Sequence, residues 1–247
     1  MRLLAALQFL TVIPVKRRFS AKQLGRSTAY FPVVGIVIGL ILAALNYLLS
    51  LVLPSGVVNA LLVVSLVVLS GGLHLDGLAD TCDGLAKHGT PDERRRVMHD
   101  SRVGGFGVIG IALVLLVKYV SLNSLPPSLV MFSLVIAPVI SRWTMVYAIF
   151  AYPYGRASGL GKAFKQTTGW QELVIATIVA LALAAGLLRL AGLAILFAVW
   201  LLTMAVATYL KRRFAGLTGD TYGAINEVAE STVFILLSLL AYKHWLV

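Results

Sequence analysis

Three aspartates, Asp76, Asp80 and Asp83, stand at i, i+4 and i+7 within the stretch GGLHLDGLADTCDGLAKH. On an α-helix that spacing puts the three carboxylates on one face, one above another. Carboxylates gathered so closely repel and raise one another's pKa, and a divalent cation is the usual remedy. Oxygen ligands without a nearby Cys or His pair favour Mg2+ or Mn2+ over Zn2+. Gly77 and Gly84 carry no side chain, which leaves room beside the acids for a ligand's phosphate. The expected chemistry is metal-assisted work on a phosphate, with Asp76, Asp80 and Asp83 as ligands. His74 is expected to face the substrate.

Three more polar stretches add to this set. In HDSRVGGFG, Asp100, Ser101 and Arg102 precede a glycine-rich start of an apolar run. A helix beginning there would aim backbone N–H groups at a phosphate, and Arg102 could hold its oxygens. Asp100 and Ser101 are candidate substrate contacts with Arg102, and either could also cap that helix. The loop GRASGLGKAFK is cationic and glycine-rich but lacks Walker A spacing; Lys162 is its candidate phosphate contact. In GLTGDTYGAINEVAE, Asp220 stands where an N-cap would, and Glu227 and Glu230 are i, i+3 neighbours. With Asn226 they read as a second acidic wall facing the aspartates, with Glu227 and Glu230 as further metal ligands and Asp220 and Asn226 as candidate substrate contacts. Arg142, inside an apolar run, needs an anionic partner, either an acidic site or a substrate phosphate. The general base for an acceptor hydroxyl is expected to be Glu227 or Asp83.

The elements that must position these residues are membrane helices. The chain has 247 residues, 59% hydrophobic and 13% charged, with a mean hydropathy of +0.91. A soluble domain of this size needs far more polar surface, and the ten-residue alternation of a β-barrel is absent. The reading is an all-α, polytopic helical bundle forming one integral-membrane domain over residues 1–247. Seven spans are expected near 30–53, 57–73, 106–120, 128–150, 173–188, 193–210 and 231–247. Residues 1–15 are too short to cross and should form an interfacial or re-entrant helix, with no cleaved leader.

The formal charge of +11 follows from topology and does not call for nucleic acid. Loops 16–26, 84–102, 156–165 and 211–213 hold sixteen of the 21 Lys and Arg, while the intervening turns hold at most one each. With seven spans every rich loop falls on one side, which is then cytoplasmic. All the polar motifs fall on that side too, so the chemistry is placed at the inner face. A single cysteine, Cys82, excludes an intrachain disulfide. An ion-coupled transporter would call for mid-membrane acids and repeat symmetry, and no repeat is evident.

Taken together, GGLHLDGLADTCDGL, HDSRVGGFG, SGLGKAF and GLTGDTYGAINEVAE resemble the cobalamin synthase family, the adenosylcobinamide-GDP ribazoletransferases. The four motifs fall in order on four cytoplasmic loops, and the length agrees over the whole chain. CDP-alcohol phosphotransferases also set aspartates at helical spacing near that surface, but their motif pattern is not met. The resemblance implies a Mg2+-dependent transferase of a prokaryotic cytoplasmic (inner) membrane. Its substrates would be adenosylcobinamide-GDP and α-ribazole, or α-ribazole 5′-phosphate, joined to give adenosylcobalamin or its 5′-phosphate with release of GMP. Whether the protein is a homo-oligomer is left open.

Overall fold

A computed structural model describes residues 1–100, 102–156 and 158–243. The described residues are mostly helical, and the extended pairing among them is one parallel bridge, Tyr154 with Leu217. In order the helices are α1 (Arg2–Leu10), α2 (Ala21–Gly25), α3 (Phe31–Leu49), α4 (Ser55–Leu69), α5 (Leu73–Ala86), α6 (Pro91–Val97), α7 (Gly105–Asn123), α8 (Pro127–Ala151), α9 (Leu160–Thr167), α10 (Trp170–Phe214) and α11 (Gly219–Tyr242).

Among the described residues five helices, α3 with its preceding turn, α7, α8, α10 and α11, are long and apolar enough to cross a membrane, and α4 with α5 makes a sixth if that bent pair is one span. The 45-residue α10 is itself a hairpin. Arg189 breaks the helix with φ 51° and ψ −132°. A Cβ on Gly192 would collide with the Ala184 carbonyl. In an unbroken helix residues eight apart are about 12 Å apart along the axis, so the chain must double back. The two limbs coincide with the two spans expected on either side of residues 189–192. α1 is the short N-terminal helix expected from the sequence.

The centre of the bundle is α8, which is buried on nearly every side, as a helix that is apolar all round should be. Pro138 lies within it and the helix runs on. α3 packs closely on this region because Gly35 and Gly39 face the α8 backbone: a Cβ on Gly35 would stand 2.5 Å from the Pro138 carbonyl oxygen. This is the small-residue approach by which membrane helices associate.

α5 does not continue α4. Gly71 (φ 63°) and Gly72 (φ 69°) take the left-handed conformation that glycine adopts without strain, and the two helices diverge by 87°. Beyond that bend α5 runs across the direction of α4. It is pinned there by α11, whose Asp220 backbone sits over Gly77: a Cβ at Gly77 would be 2.7 Å from the Asp220 carbonyl oxygen. The loops beside it are stitched together. Gly155 N–H donates to the Leu217 carbonyl at 2.7 Å, and Leu217 N–H donates to the Pro153 carbonyl at 2.8 Å. The Arg95 guanidinium donates to the Gly155 and Phe214 carbonyls at 2.9 and 2.6 Å.

Candidate active site

α5 delivers the aspartates as their spacing requires. Asp76 is exposed, and Asp80 and Asp83 are half-buried. The packing at Gly77 brings Asp220, in the first turn of α11, alongside them. Thr218, not Asp220, caps that helix: its hydroxyl accepts from Thr221 N–H, and the Asp220 side chain is left free to turn outward. Burial, followed by the charges of Asp220, Asp76 and Asp83, pushes the Asp80 carboxyl up to about 7. Such a shift marks a group of carboxylates short of positive charge. The cation nearest to hand is Arg156, 2.6 Å from Asp220. The sequence reading left Arg156 out of the site. It arrives through the Tyr154–Leu217 bridge, which no local pattern signals.

Asp83 plays a different part. Its two carboxylate oxygens accept from Gly104 N–H and Gly107 N–H at 2.7 and 2.8 Å. The carboxylate therefore occupies the helix N-terminus that sequence reasoning assigned to a phosphate, where the backbone dipoles favour negative charge. The α7 N-cap is Gly104, so Asp100 does not cap this helix. Asp100 pairs instead with the exposed Arg102 at 2.8 Å and so has a carboxyl held down to about 2. Both line an open cleft beside Asp83, Lys87 and Gly104. Ser101 lies outside the described residues.

The second acidic wall is not where it was expected. Glu227 and Glu230 lie in the buried middle of α11, and they turn toward cations deeper in the bundle. Lys118 Nζ of α7 stands 2.6 Å from each of them. Arg142 of α8 pairs with Glu230, whose carboxylate also accepts from Ser141 Oγ at 3.2 Å. Two cations and two carboxylates thus form a neutral buried cluster. Glu227 and Glu230 are engaged there as structural acids and do not join the aspartates, and Arg142 is held as their counter-ion and not as a phosphate contact. The one signal that could have forewarned of this was Lys118, a lysine inside an apolar run, which must find a partner. Asn226 is fully buried with its amide unpaired, and it is not among the residues lining the cavity.

Beside the aspartates a cavity of about 200 Å³ opens between α1, α3, α5, α8, α9 and α11. Asp76, Arg156 and Asp220 stand among its lining residues. Within it Phe31 and Phe164 meet edge to face at 5.7 Å, and Phe9 lies 4.7 Å from Phe164. Met145 and Ile149 of α8 add aliphatic surface. His74 also lines the cavity, is 1% exposed, and has no hydrogen-bond partner at either ring nitrogen. Burial and then the charge of Arg142 hold its pKa well below the ordinary value, so the ring is neutral. Gly159 and Gly161, at the start of α9, line the same cavity, and the exposed Lys162 lies next to them.

Among the described residues no three His, Cys, Asp or Glu side chains converge on a ready-made metal centre. This arrangement still fits Mg2+, which typically takes one or two carboxylates and completes its shell with water and substrate phosphate. Asp76, Asp80 and Asp220 are the carboxylates from which those one or two could come.

The chain matches the family model described as cobalamin-5-phosphate synthase over residues 2–239. It is 39% identical to an adenosylcobinamide-GDP ribazoletransferase of Desulforamulus reducens, over 95% of this chain and 94% of the relative. It is 38% identical to one from Geotalea daltonii, over 96% and 95%. A third, from a Roseiflexus species, is 37% identical over 96% and 88%. No solved structure matches the chain.

Proposed function

Because this chain belongs to the cobalamin-5-phosphate synthase family, we propose that it is a membrane transferase that joins adenosylcobinamide-GDP to α-ribazole, or to its 5′-phosphate, and releases GMP. The observation that carries the reading is the uncompensated carboxylate group of Asp76, Asp80 and Asp220, set at the inner boundary beside Arg156 and a cavity. The excess of Lys and Arg in the loops at that boundary supports a cytoplasmic orientation.

The ribose hydroxyl of the acceptor attacks the phosphorus that carries cobinamide. An O–P bond forms there as the bond to the GMP oxygen breaks. Asp76, Asp80 and Asp220 would hold Mg2+, which when bound neutralises charge on the diphosphate. Arg156, kept in place by Asp220 and the backbone bridge, presents a guanidinium to the phosphate oxygens. Arg102, at the rim of the open cleft, and Lys162, beside the cavity, are the further cations for the donor. Glu227 and Asp83 are both engaged elsewhere, so the hydroxyl proton passes to one of the boundary carboxylates.

The protein reconstituted in lipid should form adenosylcobalamin and GMP one for one from adenosylcobinamide-GDP, α-ribazole and Mg2+. Absence of GMP from the complete mixture, with correctly inserted protein, rejects the proposal.

A further inference from the structure

We propose that the cavity beside Asp76 seats the base of the acceptor nucleoside: the flat, fused-ring heteroaromatic lies against Phe31 and Phe164, and its ribose points out past Asp76. This rests on the transferase reading above. It adds which half of which substrate enters the protein, something that reading leaves unassigned.

Size is the first argument. A closed apolar void of about 150 Å³ takes a benzene ring, so a cavity of about 200 Å³ suits a bicyclic ring and is far too small for a corrin macrocycle. Three bases take part in the reaction; adenine is held on the corrin that the cavity excludes, so guanine and the base of ribazole are the contenders. Guanine carries donors and acceptors on most of its edge, and burying them against Phe31, Phe164, Met145 and Ile149 would leave them unpaired. The dimethylbenzimidazole of ribazole is apolar around its benzene edge and, once joined to ribose, has a single acceptor nitrogen.

One polar atom in the ligand calls for one donor in the wall. His74 supplies it, since an imidazole carries an N–H in either tautomer and both of its nitrogens lack a partner in a buried position. An unpaired histidine at 1% exposure costs free energy in the empty protein, and that cost is relieved when a ligand atom accepts from it. Charge points the same way. Asp76 and Asp220 flank the cavity, and Arg156 is already committed to Asp220, so the opening repels a guanosine diphosphate entering on its own but not a neutral nucleoside. With the base inside, the ribose hydroxyls emerge beside Asp76, where the attack on phosphorus must happen.

The test uses the full chain in lipid nanodiscs. With donor saturating, Phe164→Ala should raise KM for α-ribazole about tenfold, as expected for loss of one stacking face, and leave KM for adenosylcobinamide-GDP unchanged. A rise confined to the donor KM would overturn the assignment and give the cavity to guanine. Should Phe164→Ala fail to insert, a binding measurement on the unaltered protein decides. Free 5,6-dimethylbenzimidazole should bind and be displaced by α-ribazole but not by GDP; displacement by GDP alone, or no binding, refutes the slot. Phe9→Ala, at the half-buried end of the ring cluster, should admit ribosides of a tricyclic base that the unaltered protein excludes, and failure to do so counts against it. If the unaltered protein makes no GMP, the transferase reading falls, while the competition between the free base and α-ribazole still decides the cavity.

Discussion

The acids of α11 sit at two heights and meet opposite fates. At the top of α11, Asp220 joins Asp76 and Asp80 and pairs with Arg156. Deeper in the same helix, Glu227 and Glu230 face Lys118 and Arg142 and are matched charge for charge. Acids in an oily chain invite a functional reading in both places. The difference teaches that rarity alone does not mark a site. What distinguishes them is whether the protein itself supplies the counter-charge. Where it does, the cluster holds helices together; where it falls short, the charge is left for a ligand to balance.

The contrast can be broken from either side. Glu230→Gln strips Arg142 of its carboxylate inside the bundle. Removing one partner of a buried pair costs about 3–5 kcal/mol, so this variant should lose much of its thermal stability in detergent before any catalytic defect can be read. A melting temperature equal to that of the unaltered protein would show that the deep cluster is not structural.

Asp80→Asn should do the reverse. Turnover should fall by about 10²–10³-fold, the scale seen when one preorganised charge contact is removed from an active site, while the fold holds. The sign of the stability change follows from linkage. The Asp80 carboxyl rises from 3.8 to about 7 on folding, so the folded protein binds the extra proton and loses stability as pH climbs through that window. Above it the ionised group is a net burden, and the amide removes it. Melts at pH 8 should therefore place Asp80→Asn at or above the unaltered protein. A drop comparable to that of Glu230→Gln would erase the distinction between the two clusters.

The same carboxyl sharpens the contrast in a smaller way. A cation binding at Asp80 must displace a proton below pH 7, so Mn2+ affinity measured by electron paramagnetic resonance should rise with pH and level off above about 7. Asp80→Asn should flatten that curve, and an unchanged curve would move the cation elsewhere.

How much of this was written locally in the sequence can be followed residue by residue. The long apolar helices were legible, since apolar runs of that length answer to the bilayer alone; even the α10 hairpin appeared as the interruption at 189–192. The shared face of Asp76, Asp80 and Asp83 was legible as helical spacing. What those carboxylates meet was not. Asp83 is taken by N–H groups of Gly104 and Gly107, Asp220 by Arg156, and Glu227 by Lys118, and each pairing joins residues far apart in the chain. Helix packing decides such contacts, and periodicity carries no trace of them. The aromatic lining of the cavity escaped for the same reason, with Phe9, Phe31 and Phe164 coming from three helices. His74 was singled out from its neighbours as a substrate-facing residue, and it lies in the cavity wall.

The deep ion pairs also set a height. A helix rises about 1.5 Å per residue, so Asp220 stands a fixed distance, about 15 Å, above Glu230 on one rigid rod. Ordinary spans tilt or slide when the lipid around them thickens or thins. α11 cannot slide without pulling Glu227 and Glu230 off Lys118 and Arg142. The carboxylates at the water's edge are therefore levelled from inside the protein, and their alignment over α5 is insulated from the length of the surrounding acyl chains.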